Sequence, residues 1–454
     1  MPSQTTNQLG SMSVGKLLAK LAAPAILAQL INALYNIVDR IYIGNMEEVG
    51  YLALTGVGLT FPIITLISAF AALIGIGGAP LMSISLGEKD EKRAHRILGN
   101  CVSVLLMMSV VLTVFFSLFK VPLLYLFGAS DNTIGYADDY ITIYLYGTVF
   151  VMIALGLNNF VNAQGFSRTS MLTVLIGAVC NIVLDPVFIF VFDLGVKGAA
   201  IATILSQALS AGWVLLFLCS KKATVRIRLQ DLRLKGKTVL HIMSLGVSPF
   251  AMQSTESLVM IALNSQLQHY GNDYYVGAMT IISSLMQLLL MPVFGMMQGA
   301  QPIISYNYGA GQLDRVRRAF HLAFRSCLGY TTAMWILIML FPKVFISIFN
   351  QQPELVETAV WALRVHMAML FMLGIQNSCQ QTFLALGQAK ISLFLALLRK
   401  VLLLIPFSFL FPLFFGVKGI YFAEPIADFL ASVTTGMMFL LYYKKHLKKT
   451  VPNS

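Results

Sequence analysis

Gly195-Val196-Lys197-Gly198 recurs in this chain as Gly416-Val417-Lys418-Gly419, and each copy follows an aromatic-rich apolar run and begins another. Upstream, Ala163-Gln164-Gly165 corresponds to Ala385-Leu386-Gly387, and Pro24 corresponds to Pro249, at an offset that drifts only between about 221 and 227 residues. The chain therefore consists of two similar halves. A duplicated and strongly hydrophobic chain is typical of a transporter, because many transporters bind their substrate at the interface between structural repeats.

The composition places the chain in a membrane. Of its 454 residues 57% are hydrophobic and 11% are charged, whereas about 25% are charged in a soluble domain. A helix needs roughly 20 apolar residues to cross the hydrocarbon layer. We therefore predict an all-α polytopic membrane protein with twelve transmembrane helices in two pseudo-symmetric six-helix lobes. The predicted spans are about 21–43, 50–79, 97–120, 137–163, 170–192, 197–219, 238–263, 275–304, 319–341, 357–385, 391–415 and 418–443.

Basic residues predict the orientation of these spans. They gather after spans 2, 6 and 8 and at the end of the chain, as Lys89, Lys92, Arg93, Arg96, Arg226, Arg228, Arg233, Arg315, Arg317, Arg318, Lys444, Lys445, Lys448 and Lys449. The intervening loops carry mainly acids, namely Glu47, Glu48, Asp131, Asp138, Asp139, Asp193, Asp273 and Glu354. By the positive-inside rule, both termini are cytoplasmic in a multi-pass protein of the cell (inner) membrane.

The same charges predict the domain organisation. Residues 1–220 form an N-terminal six-helix lobe, residues 221–237 a basic cytoplasmic linker at the headgroup surface, and residues 238–454 a C-terminal lobe with a short basic tail. Because each half has an even number of spans, the lobes share one orientation in the membrane. One lobe can then rock against the other.

Acidic side chains inside the predicted spans are informative, because each costs about 2.5–3.5 kcal/mol at a helix centre. The chain has five of them: Asp39, Asp185, Glu256, Glu424 and Asp428. We expect the last two, four residues apart in the final span, to cap a polar seam. The cations Arg364, Arg399 and Lys400 are predicted near span ends, where long side chains reach the headgroups.

Span 1 has a polar face. Gln29, Asn32, Asn36 and Asp39 are three, four and three residues apart, which stacks them on one side of a helix. That face must contact protein or water. The alternative to a transport role is a polar seam between helices.

Span 5 carries Asn181 and Asp185 on one face, followed at once by Pro186. Proline removes a backbone donor and disturbs the carbonyl of Ile182, so we expect the helix to bend or break beside its acid. Thr203 in span 6 adds a hydroxyl. Carboxylate, amide and hydroxyl oxygens suit Na⁺, and two neighbouring buried carboxylates tend to share a proton.

These residues predict a site for a proton or a small cation. Its members are Asp39, Asn36, Asn181, Asp185 and Thr203, and Asp39, Asn181, Asp185 and Thr203 are the predicted Na⁺ ligands. In the repeat, Asp39 falls opposite Asn264 and Asp185 opposite the region around Pro406. The predicted site therefore belongs to the first lobe alone.

The second lobe offers candidates for substrate binding. Glu256 shares a helical face with Gln253 and Met260, and a structural role for Glu256 is the alternative. Span 8 adds Gln287 and many methionines, of which Met286 and Met291 are candidates. A flexible, polarizable methionine wall accommodates varied apolar ligands, although methionines also serve as ordinary packing residues.

Two other functions remain open at this point. A flippase for a lipid-linked saccharide needs several Arg or Lys in its cleft for pyrophosphate, and the first-lobe spans offer only Arg40, near an end. An intramembrane enzyme needs a nucleophile and base, a metal-ligand set, or two aspartates on facing glycine-rich helices, and the duplication does not support it. The five cysteines and six histidines show no metal-binding spacing, so we expect no cofactor.

Several features together resemble the multidrug and toxic compound extrusion (MATE) family, most closely its prokaryotic DinF-like branch. They are the two six-span lobes, the proline-containing first span that ends in an acid, the run 181–186 leading to 195–203, and the run 302–309 after span 8. The resemblance covers nearly the whole chain.

The resemblance implies a secondary active antiporter, and not an enzyme, that expels cationic or amphipathic drugs and toxic compounds in exchange for protons or sodium. It implies a first-lobe ion site at Asp39, Asn181, Asp185 and Thr203, with Pro24 as the proline at which the first helix bends. Glu256 matches an acid that some members use. The expected partners are small-molecule cationic or amphipathic substrates and membrane lipids, with no nucleic acid, and we expect a monomer.

Overall fold

The protein is built from helices, as the sequence predicts. The structure, a computed structural model, describes residues 4–46, 50–347 and 353–448, and within these ranges it contains helices and no strand. This confirms the predicted all-α class. Glu47, Glu48 and Lys449, which entered the prediction of orientation, lie outside the described residues.

The first group of helices comprises α1 (Gln4–Ser11), α2 (Val14–Gly44), α3 (Gly50–Gly87), α4 (Glu91–Leu126), α5 (Ile134–Tyr146), α6 (Thr148–Ala163), α7 (Ser167–Pro186) and α8 (Gly195–Cys219). The second comprises α9 (Gly236–Tyr270), α10 (Asp273–Gly309), α11 (Leu313–Leu340), α12 (Pro342–Ser347), α13 (Pro353–His366), α14 (Leu370–Ala385), α15 (Ala389–Leu397), α16 (Ile405–Leu410), α17 (Pro412–Phe415) and α18 (Val417–Tyr442). Turns of π-helix follow α7 at Val187–Val191, α15 at Leu398–Leu404 and α18 at Tyr443–Leu447.

The described residues contain nine helices long and apolar enough to cross a membrane, and up to eleven spans if each bent helix pair counts as one. The predicted seventh span lies in α9, which has 35 residues and is not among these nine helices. The predicted fourth span is a pair, α5 and α6, bent by 60°, and the tenth is α13 and α14, bent by 47°. At the first bend, a Cβ on Gly147 would lie 2.3 Å from Ile204, so α8 packs directly against the bend.

Two hydrophobic cores hold the helices together, and two helices cross between them. The start of α2, with Leu17, Leu18 and Leu21, is buried in the core that is formed mainly by the second group. The start of α9, with Ile242 and Leu245, is buried in the core of the first group. The two lobes therefore interlock through the starts of α2 and α9.

The groups approach each other closely at the end that carries the basic loops. A Cβ on Gly246 of α9 would lie 1.7 Å from the carbonyl oxygen of Leu73 in α3. A Cβ on Gly87 would likewise lie 2.0 Å from the carbonyl oxygen of Tyr306 in α10. Only glycine permits backbones to approach this closely. The molecule is therefore closed between its lobes at the basic-loop end.

The linker between the lobes is attached to α4. The amide nitrogen of Asn100 donates to the carbonyl oxygens of Asp231 and Arg233, both at 3.3 Å, and its oxygen accepts from the backbone N–H of Lys235 at 2.7 Å. The Ser103 hydroxyl donates to the carbonyl oxygen of Leu232 at 2.6 Å. The linker is thus held by protein contacts in addition to any attraction to lipid headgroups.

Removing the Asn100 amide should loosen this linker. Asn100→Ala deletes the three hydrogen bonds to the linker, and each of them contributes about 0.5–1.5 kcal/mol. We expect limited trypsin digestion to cut the arginine-containing linker several-fold faster. Asn45→Ala is a matched control, because the Asn45 amide donates only within its own helix, to Ile41 at 2.8 Å. Equal cleavage of the two variants would contradict this role of Asn100.

Candidate functional site

Four predicted residues of the first lobe lie together in the structure. Asn181 and Asp185 lie one turn apart on α7, and the Asn181 amide donates to Asp185 Oδ1 at 3.1 Å and to the Thr203 hydroxyl on α8 at 3.4 Å. Asp39, near the end of α2, lies within hydrogen-bonding reach of the Asp185 carboxyl group. Three different helices therefore supply one cluster.

The cluster contains oxygen atoms that the surrounding protein leaves unsatisfied. Asp39 Oδ1, Asn181 Oδ1 and Asp185 Oδ2 are buried and accept no hydrogen bond from any described residue. Buried polar atoms are normally paired, so each such atom needs an explanation. A shared proton satisfies two facing carboxyl groups, and Na⁺ accepts oxygen ligands of these kinds. The residues present fit either ion.

A small cavity lies beside this cluster, between α2, α6, α7 and α8. It has a volume of about 50 Å³ and is lined by polar side chains that include Asn32, Tyr35, Asn158, Asn181, Thr203 and Gln207. A cavity needs only about 10–15 Å³ of this kind of volume to hold one water molecule. The cavity is therefore large enough for a few water molecules or a hydrated small ion, but it is too small for a drug.

The structure adds three tyrosines that the sequence analysis missed. Tyr35 lies close enough to interact electrostatically with Asp39 and Asp185. Tyr140 on α5 lies close to Thr203, and its ring stacks on that of Tyr144 with the ring centroids 6.3 Å apart. The sequence signal for Tyr35 was its position four residues before Asp39, on the same helical face. Nothing in the sequence places the two tyrosines of α5 beside α8.

The predicted polar face of α2 is divided among several environments. Gln29 donates to Gln298 of α10 at 3.2 Å, and Asn32 lines the cavity. Asn36 is exposed and its amide donates to the carbonyl oxygen of Asn32 at 2.7 Å, so the structure does not bring it to the Asp39 cluster as predicted. Its amide is used within its own helix. Pro24 lies inside the continuous helix α2.

The predicted break at Pro186 takes a different form. α7 includes Pro186 and continues as the π-helical turn Val187–Val191, so the helix widens and does not break. A π-helical turn accommodates proline because its hydrogen bonds already run to a different partner, and such turns are frequent at functional sites. The helix therefore continues past Asp185.

The second lobe corrects the prediction for its cations. Arg399 does not reach toward headgroups: its side chain is 16% exposed, and it donates to Asp428 Oδ1 at 2.6 Å and to Glu424 Oε1 at 2.8 Å. Lys400 is also buried. The two acids of the last helix therefore bind an arginine, a role more specific than the predicted capping of a polar seam. Arg364, in contrast, is exposed as expected.

Glu256, the predicted substrate candidate, forms an ion pair with Lys400, and its side chain is 61% exposed. Lys400 also donates to the carbonyl oxygen of Met252 at 3.1 Å, so the pair is fixed to α9. Gln253 is half-buried, and its side-chain oxygen is among the buried atoms without a partner in the described residues. Glu256 therefore already has a counter-ion in this structure.

The remaining substrate candidates differ in exposure. Gln287 is exposed on α10, while Met260 and Met286 are half-buried, and Met260 Sδ lies 3.8 Å from the Ser283 hydroxyl. Met291 is buried, at 8% exposure. In this conformation Met291 is therefore less accessible than the other candidates.

Comparison with known proteins agrees with this architecture. The MatE family model matches residues 24–187 and 249–410, one match in each half of the chain. The chain is 25% identical to the multidrug export protein MepA of Staphylococcus haemolyticus over 434 residues, which cover 95% of this chain and 94% of MepA.

Solved structures are similar over the full length. A MATE crystal structure in the bent conformation has a TM-score of 0.92 at 23% identity and covers 99% of both chains. The outward-facing conformation of a multidrug resistance MATE family transporter of the MOP superfamily has a TM-score of 0.92 at 24% identity, with 99% of this chain and 100% of that chain covered. The predicted DinF-like branch stays a prediction. With the family model matched in both halves, the chain belongs to the MatE family and is therefore a membrane transporter and not an enzyme.

Proposed function

We propose that the protein is a secondary active antiporter of the cell membrane that exports cationic or amphipathic small molecules in exchange for protons. The observation that carries this proposal is the contact between the buried carboxyl groups of Asp39 and Asp185. Two carboxylates in such contact repel each other unless a proton lies between them. The MepA relatives are multidrug export proteins, which supports the choice of cargo.

The closed end of the molecule suggests which step the structure represents. The lobes are in backbone contact at the end with the basic loops, at Gly246 and Gly87. If that end is cytoplasmic, as the positive-inside rule predicts, the conformation is outward-facing. A proton arriving from outside then neutralises the Asp39–Asp185 pair. Loss of charge lets α2, α7 and α8 repack, with Pro24 as the bend point in α2.

The proposed orientation is consistent with the ion pairs of the opposite loops. Lys120 pairs with Asp138 at 2.6 Å, and Lys197 pairs with Asp139 at 3.4 Å. Because these two lysines are paired with aspartates, they do not reduce the difference in charge between their own loops and the basic loops. We therefore propose that both termini are cytoplasmic and that the monomer is the transporting unit.

The substrate is proposed to bind in the second lobe near Glu256, Gln253, Met260, Met286 and Gln287. Glu256 and Gln287 are exposed, and the other three side chains are half-buried, so none of the five is fully buried. Lys400 neutralises Glu256, so a cationic substrate gains contact with the carboxylate only by competing with Lys400. Met291 is left out because it is buried.

A flippase for a lipid-linked saccharide is the weaker proposal. It needs cations that are available for pyrophosphate, and the buried cations of the second lobe are already bound by carboxylates. Arg399 is held by Glu424 and Asp428, and Lys400 is held by Glu256.

Efflux of a fluorescent cationic dye from proteoliposomes, with proton and sodium gradients imposed independently, tests the proposal. We expect an inward proton gradient alone to drive dye export and a sodium gradient alone to have no effect. Asp185→Asn should abolish the proton-driven export. Asp193→Asn is the matched control, because Asp193 is exposed on the neighbouring connection and has a φ of 51° that asparagine also adopts. Dye export that proceeds identically without any ion gradient would refute antiport, and export driven by sodium alone would refute the proton.

A further inference from the structure

The second lobe carries a charged cluster at the position that corresponds to the first-lobe cavity. The repeated segments that begin at Gly195 and Gly416 set an offset of 221 residues, at which Thr203 corresponds to Glu424. At the same offset Gln207 corresponds to Asp428. Thr203 and Gln207 both line the first-lobe cavity. The last helix of each lobe therefore presents these two positions to an equivalent place.

Arg399 enters the same place from the preceding helix. The repeat puts it opposite Gly177 or Ala178, and both of these small residues line the first-lobe cavity. In the first lobe their small size leaves the cavity of about 50 Å³. In the second lobe a guanidinium group points to the equivalent acids and bonds to Asp428 at 2.6 Å and Glu424 at 2.8 Å. A tethered cation thus stands where the first lobe has open space.

The other charged groups around this cluster complete the neutralisation. The groups that face it are Arg399, Lys400, Glu256, Glu424, Asp428 and His366. His366 is buried, and its Nδ1 atom has no hydrogen-bond partner among the described residues. Each of the three carboxylates therefore lies beside a cation of the protein itself. Among the residues that the structure describes, no cation forms an ion pair with Asp39 or Asp185.

We propose that Arg399 is a built-in counter-cation. It lies between Glu424 and Asp428 and has there the role that the exchangeable ion has between Asp39 and Asp185. This inference rests on the proposed function of the first-lobe cluster. Arginine keeps its charge in proteins and is covalently attached, so it cannot leave during a transport cycle. Arg399 therefore restricts ion exchange to the first lobe.

The proposal has a consequence for the binding of small monovalent cations. A neutral residue at position 399 leaves two buried carboxylates without a counter-ion, and such a pair must recruit one. Arg399→Gln should thus create a second cation site, with Glu424 and Asp428 as its ligands. Arg399→Lys keeps a tethered charge and should not.

Equilibrium binding of radiolabelled sodium to the purified full-length protein at alkaline pH, where protons compete weakly, tests this. The background variant carries Asp39→Asn and Asp185→Asn, so that the first-lobe site is neutral. We expect this variant to bind no sodium above the nonspecific level. Adding Arg399→Gln to it should restore saturable binding of one ion per protein. Adding Arg399→Lys instead should restore no binding. The proposal would be overturned if the variant with Arg399→Gln binds no sodium, although it elutes as a single peak and unfolds near the temperature of the background variant.

A further variant keeps the test decisive if Arg399→Gln does not fold. Replacing the whole cluster by Arg399→Leu, Glu424→Gln and Asp428→Asn removes all three charges together, a change that proteins often tolerate. We expect this triple variant, with an intact first lobe, to bind the same number of ions as the unmodified protein. If the triple variant binds one ion fewer than the unmodified protein, the second-lobe acids exchange ions, and the proposal is refuted. Sodium binding retained by the Asp39→Asn, Asp185→Asn background would instead refute the first-lobe assignment.

Discussion

Asp39→Asn should reduce ion-driven export to the level of liposomes without protein, although the variant should still insert and fold. An asparagine amide neither takes up nor releases a proton, so the variant can no longer cycle the Asp39–Asp185 pair between its charged and its neutral form. Exchange of one proton for one dye cation moves no net charge, so the pH difference drives it, and one pH unit supplies about 1.4 kcal/mol, which supports a substrate concentration ratio of about ten. We expect this ratio to fall to about one, as measured by dye accumulation at steady state under a fixed proton gradient.

The variant also allows a control for folding. Because Asp39 Oδ1 is buried and accepts no hydrogen bond from the described residues, replacing the carboxyl group by an amide breaks no such bond and should not lower the melting temperature. Asp131→Asn serves as a comparison, since Asp131 is an exposed loop acid. It should export the dye as the unmodified protein does. Normal proton-driven export by Asp39→Asn would show that the first-lobe cluster does not carry the coupling ion.

Gly246→Ala should destabilise the closed arrangement of the basic-loop end. The new Cβ would lie 1.7 Å from the carbonyl oxygen of Leu73, which is backbone and cannot rotate away. Overpacking of this kind costs about 1–3 kcal/mol, and 1.4 kcal/mol changes a conformational equilibrium about tenfold. We expect the population to shift by at least about fivefold toward the opposite-facing state, with a corresponding loss of export.

The shift can be measured by the distance between two spin labels at the far ends of the lobes. Leu126 ends α4 and Leu340 ends α11, and both side chains are exposed, at 77% and 62%. In Gly246→Ala the distance distribution should move to shorter values, because opening one end of a rocking pair closes the other. Gly212→Ala is the matched control, since a Cβ there meets nothing within 4 Å. Identical distributions for the two variants would contradict the role of Gly246 in closure.

These two predictions depend on different kinds of information. The importance of Asp39 could be argued from sequence, because an acid three residues beyond Asn36 in an otherwise apolar span is costly and needs a reason. The importance of Gly246 could not, since a glycine in a membrane helix has many possible neighbours. Only the folded chain shows that its neighbour is the backbone of α3 in the other lobe.

The charged residues of the second lobe show the same difference. Sequence placed Arg399 and Lys400 near a span end and assigned them to the headgroups. The structure buries both, with the π-helical turn Leu398–Leu404 directing them inward to Glu424, Asp428 and Glu256. A signal was present, because the repeat aligns Thr203 with Glu424, but the identity of the partner is a contact between residues about 25 positions apart on different helices.

The sequence by itself determined the helical class and the duplication, and it predicted a site at Asp39, Asn181, Asp185 and Thr203. Hydrophobic runs, repeated segments and the cost of charge in lipid are local properties that can be read along one chain. The tertiary structure alone decided that Asn36 lies outside the cluster, that α5 bends against α6 and that Arg399 neutralises the second lobe. Those outcomes depend on which helix faces occupy the same space, and residue order does not encode that packing in any single segment.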